Sequence, residues 1–226
     1  MDDEDPRAIV QTAYDSISNW YLDWAKSLKS PRERYVEILL KESITPSPSV
    51  LELGCGPGVP ILRMLLDRGA SVIGNDISSQ QLRLAKSSCP EAELVAGDMS
   101  LLSFPSKTYD GVVYFYTIFH LPRAEQKNLL EKIYAWLKPG GMFLCNFAAV
   151  DEDAIHGEFL GHGMFWSSFS ADANQSMVKE VGFEMVVAEV SGAAGDEDFD
   201  AGVEFLWVVA RKRLMGSEYC ATSNSA

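Results

Sequence analysis

The stretch Val50-Leu51-Glu52-Leu53-Gly54-Cys55-Gly56-Pro57-Gly58 limits what this chain can fold into more than any other. An apolar run holding one acidic residue breaks into three glycines at alternate positions. Such a run reads as a buried parallel strand. Glycine carries no Cβ, tolerates positive φ and lets the backbone come within contact distance of a ligand. Ile61 to Leu66 then resume a helical apolar pattern. A strand, a glycine loop and a helix N-terminus in succession predict a nucleotide-type binding site.

The chain has 226 residues, room for one large α/β domain. Its formal net charge of −13 repels phosphate backbones, which argues against a nucleic-acid partner. Neutral or cationic small molecules stay open as substrates. Cys55, Cys89, Cys145 and Cys220 show no metal-like CxxC spacing and read as free thiols in a reducing compartment. The opening Met-Asp-Asp-Glu-Asp is the opposite of a signal-peptide n-region. No apolar run reaches the roughly 18 residues of a membrane span. The expectation is a cytoplasmic protein, monomer or homodimer, with no membrane segment and no metal. Asn174-Gln175-Ser176 matches a glycosylation sequon only as a coincidence of letters in such a protein.

Residues 6–44 read as two helices broken near Ser30-Pro31, the first rich in aromatics (Tyr14, Trp20, Tyr21, Trp24). They form an N-terminal helical cap over 1–45. Thr45-Pro46-Ser47-Pro48 leads into a domain over 46–213. Strands are expected at 71–75, 92–96, 109–115 and 142–147, and helices at 78–88 and 123–137. Pro139-Gly140-Gly141 reads as the stop of that last helix. This alternation predicts a doubly wound, Rossmann-like parallel sheet with helices on both faces. Residues 150–169 read as a loop rich in Gly, His and aromatics, a lid over 150–170. A helix is expected over 171–181. Residues 183–190 and 203–211 then read as an antiparallel hairpin at the sheet's edge. Residues 214–226 read as a disordered tail.

The glycine loop alone does not choose its nucleotide. Val59 stands near the place where a dinucleotide GxGxxG expects its last glycine. Asp76 ends the second strand, where a carboxylate can accept both hydroxyls of a ribose. Asp98 follows the third strand in Gly97-Asp98-Met99, where a carboxylate can accept the amino group of an adenine. Both carboxylates also have bland readings, Asp76 as a helix N-cap and Asp98 as a solvated loop residue. Asp110 reads as structural, and Cys55 as a small packed residue rather than a nucleophile.

At this point the sequence resembles the class I S-adenosylmethionine-dependent methyltransferases. The matching stretches are Glu52 to Gly58, Gly74-Asn75-Asp76-Ile77-Ser78, Gly97-Asp98-Met99, Tyr109-Asp110-Gly111-Val112-Val113 and Leu137-Lys138-Pro139-Gly140-Gly141. The resemblance implies a seven-stranded, mostly parallel sheet with an antiparallel last strand. It implies S-adenosylmethionine as cofactor, with Glu52, Gly54, Cys55, Gly56 and Gly58 in the loop against its methionine and ribose. Asp76 would bind the ribose, Asp98 would lie by the adenine, and Ile77 and Met99 would flank the base. Many relatives cover the cofactor with an N-terminal helix bearing a tyrosine, a role that falls to Tyr14 here.

Methyl transfer to an acceptor lone pair needs positioning and exclusion of water, and a base only when the nucleophile carries a proton. His120, after the fourth strand, and His162, in the lid, are the two candidate bases. The alternative for His120 is a structural histidine, and for the lid a packed loop that completes the core. Trp20, Tyr21, Phe119, Met164, Phe165 and Trp166 are candidates for an apolar acceptor site. The acidic run Asp196 to Asp200 reads as a solvated turn. The expected function is methylation of a small, fairly apolar metabolite. Two alternatives stay open: a cofactor-binding relative that catalyses a rearrangement or serves as a non-catalytic subunit, and a nicotinamide oxidoreductase. Val59 and Gly97-Asp98 argue against the latter.

Overall fold

The computed structural model describes residues 5–27, 31–43, 45–192 and 203–214. Two helices come first, α1 (Pro6–Ser27) and α2 (Arg32–Glu42). The sheet begins with β1 (Ser49–Leu53), followed by α3 (Ile61–Asp67), β2 (Ser71–Asp76), α4 (Ser79–Ser88) and β3 (Glu93–Ala96). Next come β4 (Tyr109–Tyr114), α5 (Arg123–Trp136) and β5 (Leu137–Ala148). A two-stranded insert, β6 (Glu152–Phe159) and β7 (His162–Ser168), precedes α6 (Ala171–Val181), β8 (Phe183–Gly192) and β9 (Glu204–Lys212).

Seven strands form one sheet in the order β3-β2-β1-β4-β5-β9-β8. β1, β2, β3, β4 and β5 pair in parallel, and β9 runs antiparallel to both of its neighbours. The order reverses between β1 and β4, the switch point at which open α/β sheets bind ligands. Successive strand residues point to opposite faces, so neighbours in sequence join different cores. Leu51, Val112, Phe143 and Val208 pack with α5 and α6 on one face. Val50, Val113, Leu144 and Val209 pack with α2, α3 and α4 on the other. The central strands are therefore apolar on both faces, which is why they read as unbroken runs rather than alternating ones.

Local signals start and stop the helices. The Ser78 hydroxyl accepts from the Gln81 amide at 3.1 Å and caps α4. Ser170 caps α6 in the same way, and Gly182, at φ 113°, ends it. α5 ends at Trp136, and the chain is already extended at Leu137. Proline at 139 disfavours helix for the residue before it, so β5 begins ahead of the Pro-Gly-Gly rather than after it.

Residues 152–168, expected as a loop, form a hairpin instead, paired from Glu152↔Ser168 to Phe159↔His162. Its turn is Leu160-Gly161, with φ of 55° and 78°. Two-residue hairpin turns of type I′ need positive φ at both positions. Leucine in the first is unfavourable, so the sequence carries no Asn-Gly type signal there. Val10 and Ala13 of α1 pack against Met164 and Phe165 of β7, which brings α1 and the hairpin together. Cys55, Cys89 and Cys145 are free and buried. Cys220 and Asp196 to Asp200, like the tail beyond Leu214, lie outside the described residues.

Leu39 of α2 sits on Gly111 of β4, where a Cβ would collide with the leucine side chain. Leu39 is 1% exposed. Leu39→Ala is expected to lower the unfolding free energy by about 2–5 kcal/mol through lost burial and a cavity. Leu101→Ala, at a position 76% exposed, is expected to change it by less than about 0.5 kcal/mol. Denaturant titrations in which the two variants behave alike would contradict this packing.

Candidate active site

The carboxyl ends of β1, β2, β3 and β4 open into a cleft. Gly54 and Gly56 supply one wall, Asp76 and Ile77 a second, and Gly97, Asp98 and Met99 a third. Gly54 has φ of 64°, and a Cβ there would collide with Thr117 Oγ1 at the end of β4. Glycine at this position is thus required twice, for conformation and for space.

The Asp76 carboxylate organises the floor. Its Oδ2 accepts from the Gly56 amide and its Oδ1 from the Ser78 amide, both at 2.8 Å. Burial pushes this carboxyl up to about 6, against the pull of the two amides. The helix cap is Ser78 rather than Asp76. Asp98 is not a solvated loop residue. Its side chain is 7% exposed, accepts from the Ser100 amide and hydroxyl at 2.8 Å each, and pairs with Arg7. Gln81 of α4 reaches the same cleft at 1% exposure, and neither amide atom has a protein partner. Buried polar groups are normally paired, so Gln81 presents a donor and an acceptor to whatever fills the cleft.

α1 forms the roof. Arg7 pairs with Asp98 and with Glu125 of α5. Asp15 accepts from the Ser78 hydroxyl at 2.6 Å and from the Gln80 amide at 3.1 Å at the N-terminus of α4. A carboxylate is favourable there because the amides at a helix start are unpaired and the dipole is positive. Tyr14 Oη lies 3.1 Å from His120 Nε2, and His120 Nδ1 lies 2.9 Å from the Phe165 carbonyl. A carbonyl only accepts, so Nδ1 carries the proton and Nε2 receives the Tyr14 hydroxyl. Burial lowers His120 to about 4, which leaves the imidazole neutral above that pH.

A second cavity of about 340 Å³ adjoins the first. α1 contributes Tyr21 and Trp24, the hairpin Met164 and Trp166, and β9 Phe205. Tyr14, Tyr21, Tyr116 and His120 line both cavities and form the partition. Tyr116 holds φ of 56°, unusual for a residue with a side chain, and its amide donates to Asn146 Oδ1 at 2.6 Å.

Several expected site residues stand elsewhere. His162 follows the hairpin turn and lines neither cavity. A Cβ on Gly58 would lie 3.2 Å from Ala85 Cα and from Cys89 Sγ, so this glycine admits α4 rather than a ligand. Glu52 and Cys55 are buried beneath the loop and line neither cavity. The Phe165 ring packs against α1, and only its carbonyl serves the site. Trp20 is 39% exposed and stacks on Trp24, with ring centroids 6.0 Å apart, outside the cavity lining. Tyr14, Gly54, Gly56, Asp76, Ile77, Asp98 and Met99 line the first cavity, and Tyr21, Phe119, Met164 and Trp166 the second. Arg7 and Gln81 were missed, because they sit on helix surfaces that only the fold turns inward, whereas Tyr116 lies in the segment after the fourth strand, where acceptor-side residues are expected.

A sheet of this order, with its cleft where the order reverses, is the fold of solved S-adenosylmethionine-dependent methyltransferases, which this chain resembles. Residues 50–141 match the methyltransferase domain model. Sterol 24-C-methyltransferase of Pneumocystis carinii is 26% identical over 168 residues, 67% of this chain and 44% of that protein. The chain spans about half the length of such curated relatives. The 1,6-didemethyltoxoflavin-N1-methyltransferase of Burkholderia thailandensis, solved with its substrate and S-adenosylhomocysteine, superposes with a TM-score of 0.69 at 19% identity. The match covers 91% of this chain and 88% of that one. The [4+2]-cyclase SpnF superposes at 0.67 and 16% identity, over 91% and 96% of the two chains. These two likenesses establish the fold. S-adenosylmethionine is the cofactor that the resemblance implies, and the donor set fits it. Asp76 and Asp98 suit hydroxyl and amino groups, and the Gln81 amide lacks a partner. No helix among the described residues is long and apolar enough to cross a membrane.

Glu52 yields a pH test of this site. Burial pushes its carboxyl up to about 8, Arg32 pulls it down, and the neighbouring Asp76 adds to the rise. A carboxyl raised in the fold stabilises fully below its unfolded value, and that contribution is lost as pH rises through the folded value. Wild type is therefore expected to lose stability relative to Glu52→Gln between about pH 4.5 and 8, with no further loss above. Melting curves whose difference is flat across this range would refute the assignment.

Proposed function

We propose that the chain transfers a methyl group from S-adenosylmethionine to a small, fairly apolar acceptor held in the second cavity. The observation that carries this reading is the partition of Tyr14, Tyr21, Tyr116 and His120, which borders both cavities at once. Two ligands on either side of that wall would meet there. The bound cofactor supplies a methyl made electrophilic by its sulfonium. The residues of this chain then orient, exclude water and handle a proton.

Asp76 and Asp98 hold the cofactor's ribose and adenine ends, Gln81 satisfies a further polar group, and α1 closes over them. Aromatic side chains keep water from the acceptor, which favours attack in line with the departing sulfur. The bound cofactor would supply the methyl, and a proton carried by the acceptor's oxygen or nitrogen would pass to Tyr14 Oη. The Tyr14 proton moves in turn to His120 Nε2. The Phe165 carbonyl keeps the other ring nitrogen protonated and so leaves Nε2 as the receiving atom.

Titration with S-adenosylhomocysteine, followed by product mass analysis, tests the whole reading. A gain of one methylene unit supports it. A product isomeric with the substrate would instead indicate rearrangement on the same fold. Asp76→Ala is expected to weaken S-adenosylhomocysteine binding roughly ten- to hundredfold through loss of a charged acceptor. Unchanged affinity would remove Asp76 from cofactor binding.

Tyr14→Phe and His120→Ala are expected to lower kcat by about two orders of magnitude, the usual yield of a positioned acid–base group. S-adenosylhomocysteine affinity should stay within about threefold, since neither change removes a charged cofactor contact. Because His120 sits near 4, wild-type kcat should show no inflection at the ordinary histidine value of 6.5. A rise in kcat through that pH would exclude the neutral, buried histidine.

A further inference from the structure

We propose that the acceptor is a phenol: a flat aromatic ring system that lies along Trp166 and directs an ionisable hydroxyl to Tyr14 Oη. This rests on reading the second cavity as the acceptor site. Four parts of the fold line that cavity with aromatic side chains: Tyr21 and Trp24 of α1, Phe119 after β4, Phe159 and Trp166 of the hairpin, and Phe205 of β9. Aromatic pairs gain from offset-stacked or edge-to-face contact beyond the area they bury. A flat ring exploits such walls with its faces and its edges. A saturated ring of the same carbon count meets them only by burial.

Trp166 offers the surface on which that ring lies. The β6–β7 register pairs Ile155 with Trp166 and Gly157 with Met164. Cross-strand partners share a face, so Gly157 belongs to the side of the hairpin whose Ile155, Met164 and Trp166 line the cavity. A Cβ on Gly157 would lie 3.0 Å from Trp166 Cζ3. Glycine there lets the indole lie close on the strand. The Trp166 and His120 ring centroids are 6.4 Å apart, and their planes incline by only 35°. A ring laid along the indole therefore brings a substituent to Tyr14 and His120 at the partition.

That pair selects the substituent. A hydroxyl becomes a good nucleophile by shedding its proton, whereas an amine attacks as the neutral group. The acceptor's proton would pass to Tyr14 Oη and the Tyr14 proton to His120 Nε2, leaving an anionic acceptor oxygen and an imidazolium. Burial lowers His120 to about 4, which makes it a weak base. Such a base draws a proton more readily from a phenol, which ionises near about 10 as tyrosine does, than from an aliphatic alcohol.

Calorimetry on protein loaded with S-adenosylhomocysteine tests the ring. The probes are 1-naphthol, 1-naphthylmethanol and decahydro-1-naphthol. Both flat probes are expected to bind about tenfold tighter than the saturated one, although burial alone would favour the saturated skeleton with its larger apolar surface. Trp166→Leu should bring all three within about threefold of one another, and Trp166→Phe should keep most of the preference. S-adenosylhomocysteine affinity should stay within about threefold in both variants. Product mass analysis with S-adenosylmethionine tests the hydroxyl. 1-Naphthol is expected to gain a methylene unit roughly a hundredfold faster than 1-naphthylmethanol or 1-naphthylamine.

A saturated probe that binds as tightly as the flat ones would overturn the proposal. So would a preference that survives Trp166→Leu, failure of the probes to bind the loaded protein, or methylation of the alcohol or amine as fast as the phenol. If S-adenosylhomocysteine binds and these comparisons fail, the acceptor class falls and the methyl-transfer reading stands. If S-adenosylhomocysteine does not bind, the methyl-transfer reading itself falls.

Discussion

The Asp76 carboxylate accepts from the Gly56 amide on one oxygen and from the Ser78 amide on the other. Those two bonds join the glycine loop after β1 to the start of α4 across the end of β2. Ser78, ordered in this way, caps α4 and donates its hydroxyl to Asp15 of α1. Loop, helix and roof thus hang from one buried carboxylate at the reversal of strand order. Burial lifts its affinity for a proton, and two amide donors oppose that rise. This carboxylate forms part of the wall of the first cleft.

α1 serves three surfaces at once. Its Arg7 crosses the end near Asp98, Asp15 anchors it to α4, and Tyr14 reaches His120. Tyr21 and Trp24 then continue the same helix along the second cavity. A single amphipathic helix therefore roofs the first cleft and walls the second cavity. His120 completes this arrangement only because the hairpin brings the Phe165 carbonyl to its other ring nitrogen. The partition between the two cavities is built from helix, sheet edge and hairpin together.

The lining of the first cleft was largely legible in the chain. Gly54, Gly56, Asp76 and Asp98 follow strand ends in order, and a parallel sheet places such ends along one edge. Gly58 belonged to the same pattern but serves helix packing, because a motif does not distinguish contact with a ligand from contact with α4. The lining of the second cavity was less legible. The span 150–169 reads as a loop because Gly157, Gly161 and Gly163 mask its alternation and Leu160 conceals a turn. With the strands unrecognised, Phe165 could not be told apart from Met164 and Trp166, although successive residues of a strand face opposite sides.

The sequence by itself determined the alternation of strands and helices, the glycine loop and the two acidic strand ends. Apolar periodicity, proline and glycine act within a few residues of the chain, and these features depend on nothing further away. Tertiary structure alone decided that Tyr14 meets His120 across 106 positions and that the Phe165 carbonyl selects its tautomer. It also turned Arg7 and Gln81 inward. Such contacts follow from how α1 and the hairpin pack over the sheet edge, and packing partners distant in sequence leave no local trace.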